Sequence, residues 1–377
     1  MTPSAYVAQI APGLEEDGAV ELRDLGATDV VPGHASVRFS AAPRVLYRVC
    51  YESRLVGRVL VRIHSFRCPD DRTLYAGARE APWHDFLSAD DTFVVSSNVT
   101  SRTIRNSHYA TLRVKDAVAD HFRDRDGRRP SVDRDNPDVR LHLHVSDDQG
   151  TLSLDASGGA LHRRGYRKAM VDAPMQETLA AAIVRFSGWH GERPLWDPMC
   201  GSGTLLAEAL MKQCSIPAGY LREHFGFERL PDFDAEIWRD VRRRADERIT
   251  PLEKGLIGGS DADPAAVRAA RKNLAVLPSG DRVEVVKRDF RDGPGLPGCT
   301  ILCNPPYGLR VDPKGGVAAL YRAFGDFLKR SCPGSTAYVY FGNRDLIGHI
   351  GLRPGARKPM NSGGLDGRCC RFEMYPL

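Results

Sequence analysis

A short polar corner follows a stretch of apolar residues late in the chain. It consists of Asn304, Pro305, Pro306 and Tyr307, directly after the predicted strand 300–303. The side-chain oxygen of Asn304 and the carbonyl of Pro305 suit a planar amino group, and the two prolines fix φ and hold that geometry. The ring of Tyr307 can stack on the flat group that carries the amine. These residues indicate methyl transfer to the nitrogen of a conjugated amine; the alternative is an ordinary Pro-Pro loop.

A glycine-containing turn earlier in the chain has the form of a cofactor site. The predicted strand 193–197 ends at Asp197, and residues 204–212 have helical periodicity. Between them, Gly201 and Gly203 let the backbone approach a ligand, and the helix N-terminus offers free N–H groups. The turn lacks the third glycine of dinucleotide sites and the lysine of phosphate-binding loops. Alone it is weak evidence, since several nucleotide ligands use similar turns.

Two more carboxylates end the next two predicted strands. Asp261 follows strand 255–260, where an acid binds ribose hydroxyls in a doubly wound sheet, and Asp289 follows strand 283–288, where it could accept from an adenine amino group. Each acid could instead cap a helix, as we expect for Asp263 before its proline. Three acids at successive strand ends, ahead of the Asn-Pro-Pro-Tyr corner, favour S-adenosylmethionine as the cofactor.

With these motifs in place, the chain resembles the bacterial 23S rRNA guanine-N2-methyltransferases that carry an N-terminal THUMP domain, a class I methyltransferase family. The resemblance extends over nearly the whole chain. Besides the glycine turn and the corner, it includes residues 103–107, 114–117, 132–135, 161–167, 173–181 and 341–343.

The resemblance implies roles for the motif residues. Those that would hold S-adenosylmethionine are Asp197, Gly201, Gly203, Asp261 and Asp289. Those that would hold a flipped guanine, and so form the catalytic set, are Asn304, Pro305 and Tyr307. By their positions in the turn and the corner, we also place Cys200, Thr204 and Asn304 at the cofactor.

The sequence predicts an α/β protein of two regions. Residues 161–377 form a Rossmann-like class I methyltransferase domain, and residues 1–160 form a ferredoxin-like unit followed by a THUMP α/β unit that binds RNA. The N-terminal strands are predicted at 6–10, 37–39, 59–63, 92–96, 139–145 and 151–154, and the helices at 13–25 and 110–122. A length of 377 residues suits two cores, and the net charge of +5 is compatible with an RNA-contacting enzyme.

Several cations are predicted to contact RNA phosphates. They are Arg105, Lys115, Arg163, Arg164 and Arg167. The last three belong to a basic segment with an embedded tyrosine at the predicted domain joint. Structural pairing is the alternative for Arg163 and Arg164, and the charge-mixed run 123–126 is interpreted as a solvated face.

The nine cysteines match no zinc spacing and no secreted disulfide framework, so we expect free thiols and a cytoplasmic protein. A nucleophilic cysteine is not expected, because cysteine-dependent methylation serves ring carbons. No metal site is expected either. No apolar stretch approaches transmembrane length, and no membrane role is predicted. Long bifunctional family members make 7-methylguanine with a second domain, for which this chain has no room, so that activity is not expected.

Other functions remain open at this level. Relatives of similar architecture methylate tRNA guanine, and the same corner can serve DNA adenine or a protein glutamine. From a different class, a non-catalytic RNA-binding ribosome assembly factor would be expected to have a damaged turn or corner, and both are intact. The favoured function is methylation of guanine N2 in 23S rRNA; the oligomeric state cannot be inferred.

Overall fold

The structure is a computed structural model that describes residues 4–171, 174–307, 316–361 and 364–376. Ala173, the first residue of one segment that carries the resemblance, lies outside these ranges. Two mixed sheets organise the described chain, one in each half of the sequence.

The first sheet has eight strands. They are β1 (Ser4–Ile10), β2 (Thr28–Gly33), β3 (Ser36–Ala41), β4 (Val56–Arg67), β5 (Thr92–Thr100), β6 (Ser131–Val132), β7 (Val139–Ser146) and β8 (Gln149–Asp155). Their spatial order is β2-β3-β1-β4-β8-β7-β5-β6. The long strand β4 pairs with β1 on one side and β8 on the other, so it joins the two N-terminal units into one sheet.

The helices of this half pack on the sheet. They are α1 (Glu15–Asp24), α2 (Pro43–Glu52), α3 (Asp71–Arg79) and α4 (Ser107–Asp126). Local signals fix their ends: the Asn106 side chain accepts from the Tyr109 amide at the start of α4, and Gly127 ends the helix at φ 68°. The order β1-α1-β2-β3-α2-β4 confirms the predicted ferredoxin-like unit.

The second sheet has seven strands. They are β9 (Leu195–Asp197), β10 (Ile257–Asp261), β11 (Glu284–Lys287), β12 (Thr300–Cys303), β13 (Thr336–Phe341), β14 (Ala356–Pro359) and β15 (Arg368–Glu373). The associated helices are α5 (Glu177–Phe186), α6 (Thr204–Gln213), α7 (Ala235–Asp246), α8 (Pro264–Leu274) and α9 (Val317–Ser331).

The strand order of the second sheet is β11-β10-β9-β12-β13-β15-β14, and β9 to β13 are parallel. The chain moves outward from β9 to β11 and then returns to β12 on the other side of β9. This reversal is the point where open α/β sheets bind ligands, beyond the carboxyl ends of the strands. The predicted Rossmann-like domain is confirmed, and its site must lie where β9 and β12 end.

The two halves share one continuous hydrophobic core. Helix α2 packs on α7, with the Tyr51 hydroxyl donating to Asp246 at 2.7 Å. Arg54 of the first half donates to the carbonyls of Met211 and Ile216 at 2.8 and 2.7 Å. No helix within the described ranges combines the length and apolarity needed to cross a membrane.

Candidate functional site

The glycine turn between β9 and α6 packs closely against α8 at one glycine and leaves its backbone open at the other. Gly203 has φ +81°, and a Cβ added there would lie 3.1 Å from the Cβ of Ala270 on α8. Gly201 has φ +53°, and a Cβ added there would meet no described atom within 4 Å. Gly203 therefore allows α6 and α8 to pack closely, whereas Gly201 leaves the backbone exposed to a ligand.

Asp197 ends β9 inside the protein. Its side chain is 2% exposed, accepts from the Met199 amide at 3.1 Å and is hydrogen-bonded to the Cys303 thiol. Burial raises the pKa of this carboxyl to about 8, and the nearby negative charge of Asp261 adds to the increase. A positively charged ligand at this position would therefore be stabilised, since no cation among the described residues pairs with this acid.

Asp261 ends β10 and faces the glycine turn. Its two carboxylate oxygens accept from the Gly201 and Asp263 amides, each at 2.9 Å. Burial raises its pKa, the two amide bonds oppose the increase, and the charges of Asp263 and Asp289 add to it. A carboxylate has about four acceptor sites, so both oxygens keep capacity for a ligand.

Asp289 differs from the other two acids because it already has a cationic partner. Its Oδ1 accepts from the Arg291 amide at 3.0 Å and from the Arg291 Nε at 2.9 Å. These bonds lower the pKa of Asp289. The Arg291 side chain is 55% exposed, so a ligand could compete with it. The role of Asp289 toward adenine stays a prediction.

The two cysteines beside the site are buried thiols. The Cys200 amide donates to the Ser260 carbonyl at 2.9 Å, which ties the turn to β10. Burial raises the pKa of both Cys200 and Cys303 well above the ordinary value. Both groups therefore remain protonated and do not have the thiolate character of a nucleophile.

The Asn-Pro-Pro-Tyr corner directly follows β12. Asn304 Oδ1 is shielded from solvent and has no hydrogen-bond partner among the described residues. The Pro305 carbonyl lies 3.5 Å from the hydroxyl of the buried Tyr321. The ring of half-buried Tyr307 packs against Gly342, where an added Cβ would lie 3.0 Å from the ring. The corner therefore presents one free acceptor beside an aromatic ring.

Strand pairing brings the corner to the acids. β12 pairs with β9 in parallel, with Thr300 opposite Leu195, and the Cys303 thiol reaches Asp197. Asn304 is the next residue after Cys303. The predicted cofactor residues and the predicted target-binding residues thus meet at one edge of the second sheet.

Two of the predicted phosphate contacts are wrong. Arg164 is 2% exposed and donates to the carbonyls of Leu161 and Arg54, with Glu208 at 3.4 Å. It is a core residue at the joint between the two halves. The sequence could not reveal this, because its acidic partner lies 44 residues away.

The guanidinium group of Arg167 is also occupied by contacts within the protein. It donates to Glu177 at 2.8 Å, to the Ser202 hydroxyl at 3.1 Å and to the Thr204 hydroxyl at 3.2 Å. Arg167 therefore connects the start of α5 to the glycine turn. Thr204 is the first residue of α6, and its hydroxyl accepts from this arginine. The acidic residue ten positions later, at the start of α5, is the sequence signal for this pairing.

The remaining predicted RNA contacts stay predictions. Arg105 is exposed and donates from Nε to the Arg102 carbonyl at 3.0 Å. Lys115 is half-exposed and pairs with Asp116 at 3.0 Å. Arg163 is exposed, and its side chain has no partner in the described part of the chain. Within the same ranges, no group of three or more His, Cys, Asp or Glu side chains could hold a metal ion.

Three protein families match successive parts of the chain. The RlmL ferredoxin-like domain matches residues 5–60, the THUMP domain matches 69–155, and the RMKL-like methyltransferase domain matches 164–370.

Individual relatives match nearly the whole chain. A Synechocystis protein named "Putative RNA methyltransferase slr0064" is 37% identical over 99% of this chain and 98% of its own length. "Ribosomal RNA large subunit methyltransferase K/L" of Aliivibrio fischeri is 41% identical over 96% of this chain and 52% of its own length. The chain therefore spans about half of that relative. A crystal structure titled "SMU.472, a putative methyltransferase complexed with SAH" superposes with a TM-score of 0.84 at 25% identity, covering 100% of this chain and 99% of the other.

Proposed function

The chain belongs to the RMKL-like methyltransferase family, and from that premise we propose that it transfers a methyl group from S-adenosylmethionine to the exocyclic N2 of a guanine in 23S rRNA. The observation that carries the chemistry is the shielded Oδ1 of Asn304, at the edge where β9 and β12 end, for which the described residues offer no hydrogen-bond partner. An acceptor in this position suits an N–H donor from a substrate, since a buried acceptor without a partner costs about 1–3 kcal/mol.

The acids at the same edge fit the cofactor. S-adenosylmethionine carries a sulfonium and an ammonium group, and when bound it supplies an activated methyl group. Asp197 is buried and Asp261 part-buried, burial raises the pKa of both carboxyls, and neither pairs with a cation among the described residues. Asp261 keeps acceptor capacity for ribose hydroxyls, Gly201 leaves room for the ligand, and Asp289 would accept from the adenine amino group.

The corner residues would position the target amine. The exocyclic amine of guanine is a poor nucleophile because its lone pair is delocalised into the ring. Asn304 Oδ1 and the Pro305 carbonyl would accept its N–H bonds, align the nitrogen and stabilise the positive charge that develops on it. Tyr307 would stack on the guanine and partly offset the few kcal/mol needed to remove it from its base stack. The proton can then leave to water, so neither a metal nor a strong base is required.

RNA is the substrate class that the THUMP match and the relatives' names support. We assign RNA capture chiefly to residues 1–160 and methyl transfer to residues 161–377. The shared core between the halves supports this division, because it holds a captured RNA in a fixed relation to the site. The remaining candidates for the phosphate contacts predicted from the sequence are Arg105, Lys115 and Arg163.

The function is tested by incubating the protein and labelled S-adenosylmethionine with 23S rRNA, and in parallel with tRNA. The RNA is then digested to nucleosides. We expect N2-methylguanosine from 23S rRNA and none from tRNA. Label in tRNA or in an adenine product would contradict the assignment. Cofactor binding without transfer to either RNA would favour the non-catalytic RNA-binding function.

A further inference from the structure

A groove lined by four arginines lies at the outer edge of the second sheet. Its volume is about 520 Å³, and its floor is the sheet face at the edge strand β14 and its neighbour β15. The segment Arg344–Ile350 and the turn after it form its wall. The lining residues are Arg344, Ile347, Gly348, Leu352, Arg353, Pro354, Arg357 and Arg368.

The strand register explains why the floor is basic. On β14, Arg357 lies opposite Cys370 of β15, and Pro359 lies opposite Arg368. Arg357 and Arg368 are therefore diagonal neighbours on one face, about 7–8 Å apart. Cys370 is fully buried between them and the rest of the core, so the two guanidinium groups extend over an apolar base.

The four arginines differ in their partners. Asp366 forms ion pairs with Arg344, at 3.0 Å, and with Arg368. Arg353 and Arg357 are exposed and have no ion pair or side-chain hydrogen bond with any described residue. Four cations against one acid leave a local charge of +3 (4 − 1). Asp366 thus holds Arg344 and Arg368 in place, whereas Arg353 and Arg357 stay available to a ligand.

The groove adjoins the corner that would hold the target base. Gly342 packs against the Tyr307 ring, and Arg344 is two residues further along the chain. Two residues span at most about 7 Å, so the entrance of the groove lies within reach of groups next to a base stacked on Tyr307. The groups on either side of such a base in an RNA strand are phosphates. The fork of a guanidinium matches phosphate oxygens in geometry and charge.

We propose that this groove binds the RNA phosphates next to the target nucleotide, with Arg353 and Arg357 as the main contacts and Arg344 and Arg368 held ready by Asp366. This inference rests on the proposed function, because it takes the base at Tyr307 to be part of an RNA strand. Residues 161–377 then bind the RNA strand at the reacting nucleotide, in addition to the RNA binding assigned to residues 1–160.

The test compares two double variants of the full-length protein. Arg353→Gln with Arg357→Gln removes two charges from the groove. Arg268→Gln with Lys272→Gln removes two charges from the exposed face of α8, which connects β10 to β11 at the opposite edge of the sheet. Binding of a mixed-sequence single-stranded RNA oligonucleotide is measured as a function of salt. A third variant, Arg353→Lys with Arg357→Lys, keeps both charges.

For the groove variant, we expect the slope of log affinity against log salt to become flatter by about 1.4, because each phosphate contact on a single strand contributes about 0.7. The α8 variant and the lysine variant should keep slopes close to that of the wild type, and calorimetry should give an unchanged S-adenosylmethionine affinity for all three. A wild-type slope in the groove variant, or an equal loss in the α8 variant, would overturn the proposal. Absence of methyl transfer to any RNA would instead refute the proposed function, and the binding slopes would still test the groove.

Discussion

Two clusters lie at the same edge of the second sheet, and they differ in whether their acceptor atoms already have partners in the protein. The acid rim (Asp197, Asp261 and Asp289) consists of carboxylates that all accept bonds from the protein. The corner presents Asn304 Oδ1, which accepts none from the described residues. The rim is oriented by hydrogen bonds, and no cation among the described residues pairs with Asp197 or Asp261. The corner is oriented by its two prolines, so its acceptor need not be used to hold the backbone.

The difference indicates what each cluster can bind. The rim favours a cation, since burial and mutual repulsion disfavour the charged forms of Asp197 and Asp261. The corner favours a neutral N–H donor, because it offers a dipole and no charge. Substitutions should therefore separate cofactor binding from methyl transfer.

The largest effect is expected from Asn304→Ala. Loss of one oriented acceptor in a closed site should reduce kcat by about 10²–10³-fold, by analogy with oxyanion-hole donors, while cofactor affinity persists. Single-turnover methyl transfer and calorimetry measure the two properties. Asn304→Asp keeps acceptor oxygens and should retain more activity than Asn304→Ala. Wild-type turnover in Asn304→Ala would remove the corner from the mechanism.

Asp261→Ala should show the opposite pattern. Each charge-assisted hydrogen bond lost to the ribose should cost about 1.5–3 kcal/mol, so cofactor affinity should fall by roughly 10–150-fold, with RNA affinity kept. The control is Asp263→Ala, which removes the cap of α8 at the Ala265 amide and should lower the melting temperature without weakening cofactor binding. Equal cofactor affinities in the two variants would mean that Asp261 is also only a structural acceptor.

Cofactor affinity should depend on pH through Asp197. Its pKa of about 8 lies above the ordinary 3.8, so the carboxyl binds a proton that a cationic ligand must displace. Affinity should therefore rise with pH up to about 8, by at most about tenfold per unit, with proton release on binding. The folded state binds more protons than the unfolded state between these two values, so the free energy of unfolding should fall as pH rises through that window. Calorimetry in buffers of different ionisation enthalpy measures the release, and Asp197→Asn should abolish it.

The smallest effect is expected from Arg291→Ala. Its pair with Asp289 is solvent-exposed on the arginine side, so stability should change by no more than about 1 kcal/mol. Because the substitution frees Asp289, cofactor affinity should stay the same or rise slightly, whereas Asp289→Ala should lower it. A marked loss of affinity in Arg291→Ala would mean that the arginine, and not the acid, contacts the cofactor.

Local patterns made the acid rim and the corner predictable. Each acid directly follows an apolar run, and parallel strands deliver their carboxyl ends to one edge, so spacing alone indicates that Asp197 and Asp261 meet. Helix α2 could not be identified in the same way. Its residues Pro43–Glu52 are rich in valine and tyrosine, which favour strands, and they become helical where they pack on α7.

Charged residues were harder to assign than the strand-end acids. The sequence shows that Arg164 is basic but not that it is buried against Glu208, which lies 44 residues away. The arginine groove likewise assembles residues from three separate segments between 344 and 368. That no described residue donates to Asn304 Oδ1 is a property of the packed structure, which no motif spacing encodes.

The most direct test of the corner locates the target nucleotide and then compares guanosine with inosine at that position. Inosine lacks the exocyclic N2 amine and is otherwise similar to guanosine, so it removes only the donor that Asn304 is proposed to bind. Affinities of the wild type and of Asn304→Ala are measured for both RNAs. We expect the wild type to bind the guanine RNA roughly tenfold or more tightly, because inosine leaves the acceptor unpaired, and Asn304→Ala to bind the two RNAs alike. Wild-type discrimination in Asn304→Ala would show that Asn304 does not contact the amine and would contradict the assigned role of the corner.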